Sequence, residues 1–279
     1  MVSPAAPPAF SPSEPAGLAV TRRPLAVVTG ASSGIGRELA LLAADHGYDL
    51  VVAADTPLFD TTAELSARGA QVEAVQTDLA SPGGVDRLLE ALDGRPVDAL
   101  LANAGHGLGH AFLDQDFEEV LHVINTNITG TVYLVQKVGL QMRARRSGRI
   151  LVTGSIAGFQ PGSFQAVYNG TKAFIDSFVA AIRNENKDAG FTITCLMPGV
   201  TDTAFFARAG MLDTKIGTTD KQMDPAEVAR IGFQAMQDGE ADVVAGLKNK
   251  AMVAMSKVLP SQVVAEQHRR MAEPGTAKT

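Results

Sequence analysis

The amino-acid sequence predicts a doubly wound α/β fold, a single domain in which a parallel sheet carries helices on both faces. Three features point there. Short apolar runs alternate with helix-like segments from residue 24 onward, which is the pattern of repeated strand–helix–strand units. The first of these runs leads into a glycine-rich turn that opens a helix. A chain of 279 residues, 46% of them hydrophobic, is also long enough to bury one large core.

Residues 1–23 place Pro4, Pro7, Pro8, Pro12 and Pro15 among alanines and serines, too little apolar surface to offset chain entropy, and are expected to form a flexible tail. A transit peptide is the alternative, with Arg22 and Arg23 as its only basic residues. The domain is expected over 24–247. Its first strand, Leu25-Ala26-Val27-Val28-Thr29, is apolar on both faces and runs straight into Gly30-Ala31-Ser32-Ser33-Gly34-Ile35-Gly36, with a helix from Arg37 to His46. Such a turn aims backbone N–H groups and the positive helix end at one point, which suits a pyrophosphate. Gly30, Ser32, Ser33, Gly34, Ile35 and Gly36 are therefore candidate cofactor contacts, against the plainer reading of a tight turn.

The second strand, Asp49 to Ala54, ends at Asp55. An acid there can accept hydrogen bonds from adenosine ribose hydroxyls and repel a 2′-phosphate, and the neighbouring Ser33, Ala54 and Thr56 supply no cation, so NAD is preferred and NADP is left open. The other reading of Asp55 is a polar strand end. A strand over Gln71 to Gln76, a helix over Gly83 to Leu92 and a strand over Val97 to Ala102 continue the alternation. Asp78 and Leu79, just past the third strand, are placed to meet an adenine. Asn103-Ala104-Gly105 closes the fourth strand with small residues that let a ligand pass near the backbone. His106 and His110 follow in a glycine-rich loop and are read as loop residues, since no carboxylate or cysteine stands at ligand spacing; no metal site is expected.

The segment Gln165 to Glu185 reads as helix, and within it Tyr168 and Lys172 stand four residues apart, on one face. An ammonium roughly 4 Å from a phenol would favour the phenolate by about 4 kcal/mol at an effective dielectric of 20, on the order of 3 pKa units, enough to bring a tyrosine into acid–base range. A Y-x-x-x-K spacing alone is a weak signal, because any helix can carry it and leave both side chains solvated.

The net charge of −6 excludes the basic surface expected of a nucleic-acid binder. The single cysteine, Cys195, sits in the apolar run Thr192-Ile193-Thr194-Cys195-Leu196 and reads as a buried core residue, which fits a reducing, cytoplasmic setting. No apolar run reaches membrane-spanning length.

Taken in order, Thr29-Gly30-x-x-x-Gly34-x-Gly36, Asn103-Ala104-Gly105, Asn127, Ser155, Tyr168-x-x-x-Lys172 and Pro198-Gly199 resemble the motifs of the short-chain dehydrogenase/reductase family, from about Leu25 to Val244. The resemblance implies a Rossmann-type sheet and a hydride transfer between a nicotinamide dinucleotide and an alcohol or carbonyl compound. It implies that Tyr168 exchanges a proton with the substrate oxygen while Lys172 lowers its pKa and bonds the nicotinamide ribose. Ser155 would hydrogen-bond the reacting oxygen, and Asn127 would hold a water linking Lys172 to solvent. Pro198, Gly199 and Val200, with Thr203, would hold the nicotinamide carboxamide. Pairing into a homodimer or homotetramer is expected by analogy. Three departures stand out: Ala102 replaces a common first asparagine, Gly170 lies inside the tyrosine helix where it suggests close packing against cofactor or subunit, and Asp55 falls one residue after the usual NAD-selecting position, Ala54.

Residues 201–223, with Phe205, Phe206, Met211 and Leu212 in irregular sequence, suggest a lid over an apolar part of the substrate, or equally side chains packed on the domain. Asp224-Pro225-Ala226-Glu227 starts a helix, and Ala241 to Ala245 reads as an edge strand. Beyond it, 248–279 forms a helical extension, amphipathic over Lys248 to Met271 and interrupted at Pro260; it suits a subunit interface or the pocket mouth better than a membrane surface. Arg143, Arg145, Arg146 and Arg149 read as a solvated turn. A dinucleotide sensor without turnover and a methyltransferase are the competing functions; neither accounts for Ser155, Tyr168 and Lys172 together.

Overall fold

The computed structural model describes residues 22–256 and 258–277; the expected tail falls almost wholly outside them. Its centre is a seven-stranded parallel sheet in the order β3-β2-β1-β4-β5-β6-β7. In chain order the elements are β1 (Leu25–Thr29), α1 (Gly34–Asp45), β2 (Asp49–Ala54), α2 (Phe59–Ala67), β3 (Val72–Gln76), α3 (Pro82–Glu90), β4 (Ala99–Ala102), α4 (Phe117–Ile124), α5 (Thr131–Arg145), β5 (Arg149–Thr153), α6 (Ala166–Glu185), β6 (Thr192–Met197), α7 (Phe205–Arg208), α8 (Pro225–Asp238), β7 (Asp242–Val244), α9 (Leu247–Ser256) and α10 (Ser261–Ala272).

Successive residues of a strand point to opposite faces, so β1 feeds two separate layers. Val27 joins Leu100 and Ile150 in a core closed by α3, α5 and α6 through Leu88, Val138 and Ile175. Val28 joins Leu101 and Leu151 in a second core closed by α1, α2 and α8 through Leu39, Leu65 and Phe233. This is why the central strands read as unbroken apolar runs: both faces are covered.

β1 pairs with β2 on one side and β4 on the other, and the chain therefore winds outward in both directions from that point. In such sheets ligands bind beyond the carboxyl ends of the strands at this switch point. The glycine turn, Asp55, Asp78 and Asn103 all lie at those ends.

Element starts differ slightly from expectation. α1 begins at Gly34 rather than Arg37, and β7 is confined to Asp242–Val244. α8 starts as predicted, with the Asp224 carboxylate accepting from the Ala226 N–H at 2.9 Å and Pro225 in the first turn. The extension is two helices, with Pro260 at the N-terminal cap of α10. The arginine turn is partly anchored, since Arg145 donates to the Val97 carbonyl at 2.5 Å and Arg146 to that of Asp188 at 3.1 Å.

Between α4 and α5 the chain forms a π-helical turn, Asn125–Gly130, that the sequence pattern does not announce. Wide turns of this kind cluster at functional sites. Here it seats Gly130 so close to the Leu79 carbonyl that a Cβ would stand 2.1 Å from that oxygen.

Candidate active site

A cavity of about 1110 Å³ opens beyond the carboxyl ends of the strands. Its nucleotide end is built on the glycine turn. Gly30 and Gly34 take φ of +67° and +55°, the left-handed region that favours glycine. Gly36 is buried beneath the turn, where a Cβ would sit 2.2 Å from the Gly30 carbonyl oxygen. Ser33 caps α1 in extended backbone without a side-chain hydrogen bond to the helix, and no acid occupies the first turn. The N–H groups of that helix end are thus left for an anion, which is the donor set a pyrophosphate requires.

Along the wall from this turn lie Ser32, Ser33, Ile35, Asp55, Asp78, Leu79, Asn103, Ala104 and Gly105. Asn103 ties the strands together while lining the wall. Its N–H donates to the Thr29 hydroxyl at 3.0 Å, and its side-chain oxygen accepts from the Thr153 hydroxyl at 3.1 Å. Asp55 is met by His106, whose Nε2 is 3.1 Å from Oδ2, and this hydrogen bond holds the Asp55 carboxyl below the usual range. A cation reaches the same rim: Arg208 of α7 donates from Nη1 to the Ser33 hydroxyl at 3.4 Å. The sequence shows no lysine or arginine near Asp55 because Arg208 arrives from a distant segment.

At the other end Ser155, Tyr168 and Lys172 face the cavity. Ser155 follows β5, and its hydroxyl accepts from the Ala157 N–H at 3.1 Å while lying 3.4 Å from the Pro198 carbonyl, to which it donates. Lys172, only 5% exposed, donates from Nζ to the Thr153 carbonyl at 2.8 Å and stands 5.9 Å from the centre of the Tyr168 ring. Burial lowers its pKa. Tyr168 differs from expectation. Loss of water pushes its phenol up to about 12, a hydrogen bond with Ser155 pulls the other way, and the negative charge of Asp176 adds to the rise. In this structure the proton therefore rests on Tyr168 at neutral pH, because desolvation outweighs a lysine whose ammonium is turned toward a carbonyl.

Two candidates lie behind the wall instead of on it. Gly36 is one. Asn127, in the π-helical turn, is the other: its amide donates to the His106 carbonyl and the Thr171 hydroxyl, both at 2.9 Å, and its oxygen accepts from the His106 N–H at 2.8 Å. It props the loop after β4 against α6. Gly170 is exposed, does not line the cavity, and a Cβ there would meet nothing of this chain within 4 Å.

The substrate end is roofed by three chain segments. Val200, Thr203, Phe205 and Phe206 come from the segment after β6, and Met252, Met255, His268 and Met271 from α9 and α10. Phe205 packs on Tyr168 at 5.0 Å between ring centres. Phe206 and Met211 are buried with Ala209 and Ala272 in a small third core, whereas Leu212 is exposed. The extension thus covers the pocket mouth, with Ile216 donating to the Met271 carbonyl at 2.9 Å.

Sequence reasoning missed Asp176, one helical turn past Lys172. It is 9% exposed, burial raises its carboxyl to about 6, and its Oδ2 has no hydrogen-bond partner among the described residues. In the unfolded chain the same carboxyl titrates near ~4, so between those values the folded state binds the proton more tightly and stability from this group falls as pH rises, by roughly 2–3 kcal/mol. Asp176→Asn is accordingly expected to gain stability relative to the parent between pH 4.5 and 7, read from urea unfolding at each pH; a pH-independent difference would contradict a charged buried carboxylate. Cys195, 2% exposed, lies beside it with its thiol pushed up by burial.

The family model described as "short chain dehydrogenase" matches residues 24–211. The chain belongs to the short-chain dehydrogenase/reductase family and is a nicotinamide dinucleotide-dependent oxidoreductase acting on CH–OH or carbonyl groups. It is 31% identical over 251 residues to an uncharacterized oxidoreductase of Myxococcus xanthus, covering 88% of this chain and 96% of that one. It is also similar to a short-chain dehydrogenase from Sphingobium yanoikuyae in complex with NADPH, at 26% identity and a TM-score of 0.75, covering 85% of this chain and 96% of the other. The fold alone is shared at 24% identity with a short-chain dehydrogenase/reductase from Burkholderia phymatum in complex with NAD, with a TM-score of 0.75 and coverage of 83% and 92%. Among the described residues no helix is long and apolar enough to cross a membrane, and no group of metal-binding side chains is found.

Proposed function

We propose that the protein transfers a hydride between NAD(H) and a secondary alcohol or ketone carrying an apolar portion, with Tyr168 as the general acid/base. The observation that carries this reading is the convergence of Ser155, Tyr168 and Lys172 on the wall of the cavity that also contains the glycine turn. The nicotinamide ring, when bound, supplies the hydride acceptor or donor.

This chain's residues do the rest. The N–H groups of α1 and its glycine turn hold the pyrophosphate, Asp55 the adenosine ribose, Asp78 and Leu79 the adenine, and Pro198 to Val200 with Thr203 the carboxamide end. In the direction of reduction, Tyr168 Oη gives its proton to the substrate oxygen; in oxidation, its phenolate form takes the proton of the substrate hydroxyl. The Ser155 hydroxyl bonds the same substrate oxygen, a contribution on the order of 3 kcal/mol where negative charge develops. The ring of Phe205 against Tyr168, with the methionines of α9 and α10, excludes water and favours an apolar substituent. Assembly into a homodimer or homotetramer and a cytoplasmic setting complete the reading.

The test is fluorescence titration with NADH and NADPH followed by a panel of ketones and alcohols. NADH is expected to bind about tenfold more tightly, since a carboxylate faces the ribose. In Arg208→Ala the gap is expected to widen, because the cation beside Ser33 is gone and NADPH loses more than NADH. Tighter NADPH binding overturns the preference for NAD, and the absence of turnover across the panel overturns the substrate class.

A further inference from the structure

We propose that Asp176 is a positioning residue for this acid–base pair: its carboxylate fixes the backbone at Ser155 and supplies the negative charge that keeps the buried Lys172 ammonium protonated. The proposal rests on the assignment of Tyr168 and Lys172 given above.

Tyr168, Lys172 and Asp176 follow one another at four-residue steps and share one face of α6. The surrounding backbone is shaped to the carboxylate. A Cβ on Gly154 would stand 2.0 Å from Oδ1, and one on Gly158 would stand 2.3 Å from Oδ2. Both positions flank Ser155, and the Ser155 N–H donates to Oδ1 at 3.3 Å. From β6 the Cys195 thiol approaches Oδ1 at 3.7 Å.

Oδ2 accepts no hydrogen bond among the described residues. A carboxylate that only filled space would be better replaced by a neutral group, since an unpaired buried charge is costly. What it faces instead are the titratable groups of the site: Lys172 on its own helix, Cys195 on β6 and, farther off, Asp242 on β7. Tyr168 also feels its charge. Lys172 has the Thr153 carbonyl as its hydrogen-bond acceptor, and a neutral carbonyl does not offset the loss of water around an ammonium.

Removing the negative charge lowers the pKa of every neighbouring group, so the signs add. In Asp176→Asn both Tyr168 and Lys172 lose their protons at lower pH. The limb on which carbonyl reduction declines is expected to move down by about one pH unit, so that kcat on that limb falls about tenfold while kcat below it is unchanged and KM stays within about twofold. A purely structural role would change stability and leave that limb in place.

The experiment pairs this profile with an ultraviolet difference titration of tyrosinate. The chain has 3 tyrosines, and Tyr168→Phe assigns the signal of Tyr168. The expected result is a Tyr168 midpoint about one unit lower in Asp176→Asn together with the shifted limb. A midpoint and limb both unchanged overturn the proposal even if Tyr168→Phe is inactive. A midpoint that shifts while Tyr168→Phe keeps full turnover sustains the electrostatic coupling and overturns the assignment of Tyr168 instead. Should Asp176→Asn fail to fold, Asp176→Ser carries the same two readouts, because it also removes the charge and leaves room for water.

Discussion

Tyr168→Phe is expected to lower kcat for both oxidation and reduction by about 10³-fold while leaving NADH affinity within about twofold. The substitution removes one oxygen and keeps the ring that packs on Phe205 at 5.0 Å, so the cavity wall is preserved. The phenol oxygen interacts with Ser155 by hydrogen bonding, and burial holds its proton up to about pH 12, conditions in which water cannot substitute as a placed donor. Steady-state kinetics on an accepted ketone with a parallel NADH titration checks this. Turnover within a few-fold of the parent would place the proton transfer elsewhere.

The second large effect is expected at Gly36→Ala. An added Cβ would stand 2.2 Å from the Gly30 carbonyl oxygen and 2.5 Å from the Asn103 side-chain nitrogen. Neither neighbour can give way cheaply. The carbonyl is backbone within the glycine turn, and the Asn103 side chain accepts from Thr153 at its other end. Overpacking of this kind costs about 1–3 kcal/mol of stability. Moving the turn also misaligns the N–H groups aimed at the pyrophosphate, so NADH affinity is expected to drop at least about tenfold. Thermal unfolding and NADH titration of the same variant check the two effects, and an unchanged affinity would mean that the turn does not grip the dinucleotide.

Much of this architecture is written locally. The strand-to-turn-to-helix passage at Leu25–Gly36 is legible because an apolar run, three glycines and a helix start stand side by side. The start of α8 is equally plain, since Asp224 and Pro225 satisfy adjacent demands of one helix end. The parallel sheet with helices on both faces follows from the alternation of elements. Ser155, Tyr168 and Lys172 are legible through the resemblance of the ordered motifs, and the cavity brings them to one wall.

What escapes a linear reading is whatever depends on desolvation or on distant segments. Spacing places an ammonium beside a phenol, but it does not tell how much water the phenol loses, which is why Tyr168 titrates above rather than below its ordinary value. His106 reads as a loop residue until the fold sets it against Asp55. Arg208 is invisible as a neighbour of Ser33 for the same reason. Asp176 carried a usable signal: an acid one turn past Lys172 on the inward face of the helix, with Gly154 and Gly158 upstream to make room for it.

The roof of the substrate end has an evolutionary consequence. Under the proposed function, coenzyme grip and proton handling belong to the sheet ends and α6, whereas selectivity for the substituent belongs to α7, α9 and α10, which contribute nothing to the seven strands. Grafting a relative's two terminal helices onto this chain should therefore redirect which ketone is accepted without retuning the redox partner. Such a modular division lets one scaffold diversify its chemistry by exchanging its cover while its engine stays constant.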